Sequence, residues 1–598
     1  MMPQEVKRRR DSRWTVLLIA TLVTLLSGCA PAWPFPQPTP DPKLPDAQQI
    51  FYPLEIGPNA ADLWAIDPPL IQFGSDQNVA QLIFPQLMML DEQEKPIDWA
   101  AERHEISDDG LTYTFHLRKG MTWSDGSPID ANTFANSINR TLDPCTATDV
   151  AWILYVIKGA QAFNEGTCPA DSVTSATTLI GSSLLVPDPL TLRIRLERPA
   201  GYFLAVLTAP AAWAVPRALV ERYTTLAKDA GIPRITSTWT DHLADNGGFG
   251  GNLYRLTRWD HAGHLKLERN ERFWGQKPLL RRIEYTLYKD ASVAWSEFQT
   301  TGAGDVGYPA VANSSDPRGE IGYEIAAARA LKGVTVQQTP LLAVSNLRLN
   351  WRLAPFDDPR VRQAFSLAID RETIAHEIYH DSAQPSIHLI PGGMPGYNSD
   401  LADAARRTGK NALTADLDTA RKLASAYAAE KCHGNVATCP SIMAPLPRST
   451  GSVYKVDVMI VAQWQAAFPG WPIAVAYYNA AQHLEPVHQL DNSGWSADYA
   501  DPKNFVSDLW TTQAYYNRGF ESVPQVDALC AQADGMSDLS ARIPLYQQAE
   551  QLLVTQGAAI PYAQPLITYA VRAHVVGWSI APMGQTPLSV WQTAYIKR

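Results

Sequence analysis

The stretch DDGLTYTFHLRKGMTWSDGSPIDANTF runs from Asp108 to Phe134 and switches periodicity within 27 residues. Asp109-Gly110 marks a turn, because glycine supplies the left-handed backbone that tight turns use. Tyr113, Phe115 and Leu117 alternate with Thr114 and His116, which predicts a strand with one buried face. Lys119-Gly120 turns the chain again, and WSDGSP, Trp123 to Pro128, turns it a third time. Asp130 then stands where an N-cap belongs, ahead of a helix carrying Phe134 and Ile138 on one side. Every feature is scaffold; no nucleophile stands beside a base.

The same mixture recurs outward. Leu190 to Leu196 alternates apolar and charged residues as a half-buried strand does. In FDDPRVRQAFSLAIDRETI, Phe356 to Ile374, Asp358 is an N-cap and Pro359 sits at the first helical position, where its missing N–H costs little. Val361, Phe365, Ala368 and Ile369 line one face of the helix that follows. Half-buried strands interleaved with amphipathic helices predict an α/β body.

The N-terminus reads as an address. Lys7, Arg8, Arg9, Arg10 and Arg13 precede the apolar run Trp14 to Leu26, which is short for a membrane-spanning helix and predicts a secretion signal over 1–28. LSGC, Leu26 to Cys29, has the form of a lipobox, with Cys29 the thiol that accepts a diacylglycerol. Residues 29–45 are proline-rich and favour extended polyproline II, so they are expected to tether a globular body to a membrane surface. The anchor rests on acyl chains, at the cell surface or on a periplasmic face.

The body is globular by composition, 46% hydrophobic with 18 Trp and 23 Tyr in 598 residues. The formal charge is −10, and without the basic leader the mature body stands near −13. Such a surface argues against nucleic acid and against a polybasic membrane contact. With Cys29 lipidated, the sequence-local pairings are Cys145 with Cys168 and Cys432 with Cys439, leaving Cys530 as a buried thiol in a helical segment.

DDGLTYTFHLRKGMTWSDGSPIDANTF resembles the signature region of the family 5 extracellular solute-binding proteins, the oligopeptide- and dipeptide-binding receptors of ABC importers. VPDPLTLRIRLERPAGYFLAVL (186–207), NERFWGQKP (270–278), APFDDPRVRQAFSLAIDRETI (354–374), GWSADYADPKNF (494–505) and YQQAEQLLVTQGAAIPYAQP (546–565) agree in the family's order. The resemblance implies a two-lobed, periplasmic-binding-protein-like α/β fold whose lobes close on ligand by hinge bending. Domain I would combine 46–86, 196–338 and 565–598; domain II would be 87–195; domain III, the second lobe, 339–564. It also implies a monomer without cofactor, served by permease and ATPase subunits that carry out any ATP hydrolysis.

One motif points elsewhere. HEIYH, His376 to His380, fits the H-E-x-x-H pattern in which two histidines on one helical face hold zinc and the glutamate polarises bound water. The third ligand is missing: Ala383 and Ser386 stand where the metzincin pattern requires glycine and histidine, and no Glu occurs between Glu377 and Glu430. His388 remains a conceivable ligand. The chain lacks a G-x-S-x-G elbow and a phosphate-cradling G-x-x-x-x-G-K-[ST] loop, and the glycines of NGGFGGNLY, Asn246 to Tyr254, read as a turn into a strand. No catalytic set and no metal site are therefore expected.

GWSADYADP, Gly494 to Pro502, carries two carboxylates. The family motif G-W-x-x-D-[YN] maps onto Gly494, Trp495, Asp498 and Tyr499, and implies that Asp498 pairs with the α-ammonium of a peptide while Trp495 walls the site. A buried ammonium is costly unless paired, so such a site selects ligands with a free amine. The alternative for Asp498 is a turn or capping role. Asp501, before Pro502, is expected to cap the next helix. Arg352, Lys503 and Arg518 are candidates for the ligand's carboxylate by charge alone. Relatives that bind metal complexes, haem or sugars keep another solute, or a sensing role, open.

Overall fold

The strand expected at Tyr113 to Leu117 forms as Thr112–Leu117, with Tyr113, Phe115 and Leu117 at most 3% exposed. It lies inside a four-stranded antiparallel sheet with Ala101–Ile106, Thr191–Arg195 and Leu184–Asp188. Asp130 caps helix Ala131–Leu142 through a reciprocal box with Thr133: each side chain bonds the other's backbone N–H. The computed structural model describes residues 42–56, 62–229, 232–311, 324–401, 412–447, 452–478, 488–514, 516–517, 519 and 522–598. The signal segment, Cys29 and nearly all of the tether lie outside these residues.

The fold is a two-lobed mixed α/β architecture whose buried hydrophobic residues fall into separate clusters. The first core draws on Phe51, Tyr113, Phe134, Phe203 and Ile283, and closes with Trp578, Trp591 and Ile596 near the C-terminus. Residues expected for domains I and II share this one core. It is flanked by the four-stranded sheet and by a five-stranded sheet built on Arg282–Tyr288. Two further large cores draw mainly on residues between Leu342 and Ala563. One gathers Phe365, Trp464, Phe468 and Trp471, the other Phe505, Trp510, Tyr546 and Leu553.

Phe365 shows how the helix face predicted from sequence is used. Helix Pro359–Leu367 starts at Asp358, whose side chain accepts from the Arg360 N–H. Phe365 is fully buried, and its ring lies 4.7–5.7 Å from Phe356, Trp464, Phe468 and Trp471. Replacing it with alanine removes that aromatic centre at a cost of about 3–5 kcal/mol.

A single 14-residue strand, Ala559–Arg572, is shared by two sets of partner strands. Its first half pairs with Ala343–Leu349 and Ala383–Pro385, and its second half, from Leu566, pairs with Val334–Pro340 and Val306–Val311. Strand Leu490–Ser496 pairs antiparallel with Ala343–Leu349, setting Trp495 opposite Val344. GWSADYADP therefore begins at the end of a sheet strand.

Both disulfides form, Cys145 with Cys168 and Cys432 with Cys439, and Cys530 is a buried thiol that desolvation pushes up to about 12. HEIYH does not build the helical face a zinc site needs. Ile374–Ile378 is a π-helical turn, and His380 lies beyond it with a left-handed φ of 44°. His376 and Glu377 point to solvent, while buried His388 sits 3.8 Å from Glu550 and 3.2 Å from the Tyr397 hydroxyl. Among the described residues no cluster of three or more His, Cys, Asp or Glu could hold a metal ion, and no helix is long and apolar enough to cross a membrane.

Candidate ligand-binding site

After strand Leu490–Ser496 the chain turns through Asp498 and enters a short 3-10 helix, Pro502–Asn504. Asn504, fully buried, organises the turn. Its Oδ1 accepts from the Trp495 indole N–H at 3.0 Å and from the Asp498 N–H at 2.9 Å, and its Nδ2 donates to Asp498 Oδ2 at 3.0 Å. Three groups of the motif are thus fixed by one amide side chain, and a network satisfied in this way holds the Asp498 carboxylate in one orientation.

Asp498 is half-buried and lines a cavity with about 480 Å³ of empty space, counting its mouth. The other walls come from Gln77 and Gln81 of helix Gly74–Ile83, from Gln86, Met89, Leu90, Asp91 and Glu94 in and before the hairpin of Met88–Leu90 and Pro96–Asp98, from Thr208, Ala209 and Trp213, and from residues between Ala581 and Leu588. Asp91, Glu94 and Asp498 line the cavity, and no described lining residue is Lys or Arg. Burial, reinforced by the nearby Asp508 carboxylate, pushes Asp498 up to about 6 although Asn504 favours its charged form. Among the described residues no cation pairs with it.

The rest of the motif turns away from the cavity. Asp501 is 3% exposed and caps Pro502–Asn504, accepting from the Lys503 N–H at 3.0 Å. It also receives both terminal nitrogens of Arg542, each at 2.9 Å. Arg542 is fully buried and donates onward to the Ala533 carbonyl and the Tyr546 hydroxyl; that hydroxyl donates to Asp534. Tyr499, 1% exposed, donates to Asp508 Oδ2 at 2.6 Å and stacks on Tyr202 of the first lobe at 6.3 Å. Trp495 is partly buried and meets Tyr516 edge-on at 4.8 Å; Tyr516 in turn meets Trp152 at 5.5 Å. Of the three expected ligand residues, Asp498 alone lines the cavity.

Two of the charge candidates for a ligand carboxylate are accounted for in part. Lys503 is buried against Asp508, with its Nζ 4.7 Å from the Tyr202 ring. Arg352 is exposed in the turn after Ala343–Leu349, and Arg518 lies outside the described residues. Asn504, Gln86 and Glu94 were not singled out in the sequence; only their position in the folded cavity or beside it marks them.

The family profile described as bacterial extracellular solute-binding proteins, family 5 Middle, matches residues 95–517. The chain is 25% identical over 503 residues to the dipeptide-binding protein DppE of Bacillus subtilis, covering 83% of this chain and 84% of that one. It is 26% identical over 549 residues to the periplasmic oligopeptide-binding protein OppA of Escherichia coli, covering 89% and 90%. The solved periplasmic murein tripeptide-binding protein MppA, in its unliganded open form, has the same fold at a TM-score of 0.72 and 21% identity, over 94% of this chain and 99% of that one. With its two-lobed architecture and a profile match across most of its length, the chain belongs to the bacterial extracellular solute-binding proteins of family 5 and is a binding protein rather than an enzyme.

Proposed function

We propose that the protein is a lipid-anchored extracytoplasmic receptor that captures peptides with a free α-amino group and delivers them to an ABC importer. The carrying observation is Asp498: a carboxylate held by Asn504, facing a cavity, with no cation paired to it among the described residues. A ligand ammonium supplies the missing charge and offsets the cost of burying the carboxylate, whereas an acetylated terminus leaves that cost in place. Relatives named for dipeptide and oligopeptide binding support peptides as the ligand class.

Cys29 in its lipobox supports the anchor, and the family supports delivery to permease and ATPase subunits, by a monomer held at the membrane. The separate cores support a hinge between domain III, 339–564, and the lobe formed by domains I and II. Trp495 and Tyr499 act on the ligand through the turn they brace.

Calorimetric titration of the mature chain with a short peptide and its N-acetylated form tests this. Binding of the free peptide alone is expected, and Asp498→Ala should weaken it by roughly 2–5 kcal/mol. Equal affinity for both forms, or an unchanged affinity in the variant, would refute the ammonium site.

A further inference from the structure

The cavity that Asp498 lines has a second acidic wall that the α-ammonium does not use. Glu94 is 2% exposed, sits in the turn of the Met88–Leu90 and Pro96–Asp98 hairpin, and faces the same space. Its Oε1 accepts from the Met583 N–H at 2.8 Å, which fixes the carboxylate, and among the described residues no cation pairs with it. Beside it in the lining is Gln86, 3% exposed, whose side-chain amide makes no hydrogen bond among the described residues and whose Nε2 is a buried donor without a partner.

A fixed carboxylate without a counter-charge and an amide without a partner are both costly in a water-poor wall. One ligand can relieve both: a cationic group on it satisfies the Glu94 carboxylate, and a carbonyl of the same ligand accepts from Gln86 Nε2. Water suffices for a neutral wall, but it does not supply charge. We propose that Glu94 and Gln86 form a second ligand subsite, Glu94 taking a cation and Gln86 a carbonyl of the same ligand, so that the receptor favours ligands bearing a second positive group, such as a basic side chain close to the α-ammonium. This rests on Asp498 as the ammonium site and adds a selectivity that a single carboxylate cannot give. Burial also pushes Glu94 up to about 7, with Asp91 adding like charge, so a bound cation would shift it toward its ionised form.

The test compares lysyl-alanine with norleucyl-alanine, whose side chain ends in a methyl group where the lysine carbon carries its ammonium, by calorimetry on the mature chain and on Glu94→Gln. The wild type is expected to prefer the lysyl peptide by roughly tenfold or more, and the ratio should fall to near one in the variant. Glu94→Gln keeps an acceptor for the Met583 N–H, and circular dichroism verifies that it folds. No preference in the wild type, or a preference that survives Glu94→Gln, overturns the subsite. If neither peptide binds the wild type, the peptide reading fails by itself, and 1,5-diaminopentane against pentylamine decides the subsite: a diamine preference lost in Glu94→Gln upholds it, and equal response overturns it.

Discussion

Asp501 and Arg542 form a two-pronged ion pair, 2.9 Å at each contact, with Arg542 fully buried. The pair joins the end of the binding turn to helix Leu539–Gln556. Asp501→Asn leaves a buried guanidinium without its counter-charge and should cost about 3–5 kcal/mol. The double variant Asp501→Asn with Arg542→Met removes both charges and should lose less than the sum of the singles. Urea unfolding checks this; additive losses would mean that the two side chains do not act as a pair.

Tyr202 of the first lobe covers this network from above. Its ring lies 4.7 Å from Lys503 Nζ, 5.5 Å from the Arg542 guanidinium and 6.3 Å from the Tyr499 ring. The preceding Gly201 donates to the Met536 carbonyl, and a Cβ there would come within 2.6 Å of the Met536 and Ser537 oxygens. Contact between the lobes thus uses cation–aromatic attraction, worth about 1 kcal/mol each. Tyr202→Leu and Gly201→Ala are each expected to speed ligand dissociation in stopped-flow measurements while Tyr202→Phe does not. Equal rates in all three would show that closure does not depend on this contact.

Much of this was legible in the chain and some was not, for physical reasons. Periodicity and capping chemistry are local, so the strand at Tyr113, the Asp130 and Asp358 caps and the Phe365 face were readable from neighbours. The cap at Asp501 was readable too, but its partner Arg542 lies 41 residues away and carries no local mark. Asn504 was not singled out in the sequence and is the hub that aims Asp498. Glu94 was hidden more deeply: it adopts a φ of 59°, a conformation usually given to glycine, inside a charged turn that reads as surface. HEIYH failed in the opposite direction, because a pattern that requires regular helix falls on a π-helical turn.

That last point makes a prediction. Purified mature protein should retain no stoichiometric zinc through dialysis, and His376→Ala should leave both peptide affinity and thermal stability within experimental error, since the side chain is 72% exposed. Zinc retained by the wild type and lost in the variant would restore the metal hypothesis.

Peptide affinity should depend on pH through Asp498. Burial raises its carboxyl to about 6 in the empty site, and a bound ammonium stabilises the ionised form. Affinity is therefore full above this value and falls as pH drops through it, because the protonated acid offers no counter-charge. Below the transition the loss approaches about tenfold per pH unit. Calorimetry between pH 4.5 and 8 checks this, with Asp498→Asn expected to flatten the profile; a profile unchanged by that substitution would assign the titration to another group.

The unliganded protein should show the reverse trend in stability. Asp76, Glu94, Asp457 and Glu550 are all buried, and desolvation raises each to about 7. A carboxyl whose value is higher folded than unfolded holds its proton longer in the folded state. Between the ordinary carboxylate range and about 7 the folded chain thus binds more protons, and stability declines as pH rises through that window. Glu550 shows the cause plainly. Its Oε1 accepts from the Leu389 and Ile390 N–H groups at 2.8 Å each, whereas its Oε2 is buried without a hydrogen bond. Glu550→Gln keeps the acceptor and removes the ionisable charge. Calorimetric melting should give a higher midpoint near pH 5.5 than near pH 8, with the difference reduced by on the order of 1 kcal/mol or more in Glu550→Gln. A wild type more stable at pH 8, or a variant with the same slope, would mean that these carboxylates are ionised and accommodated in the fold.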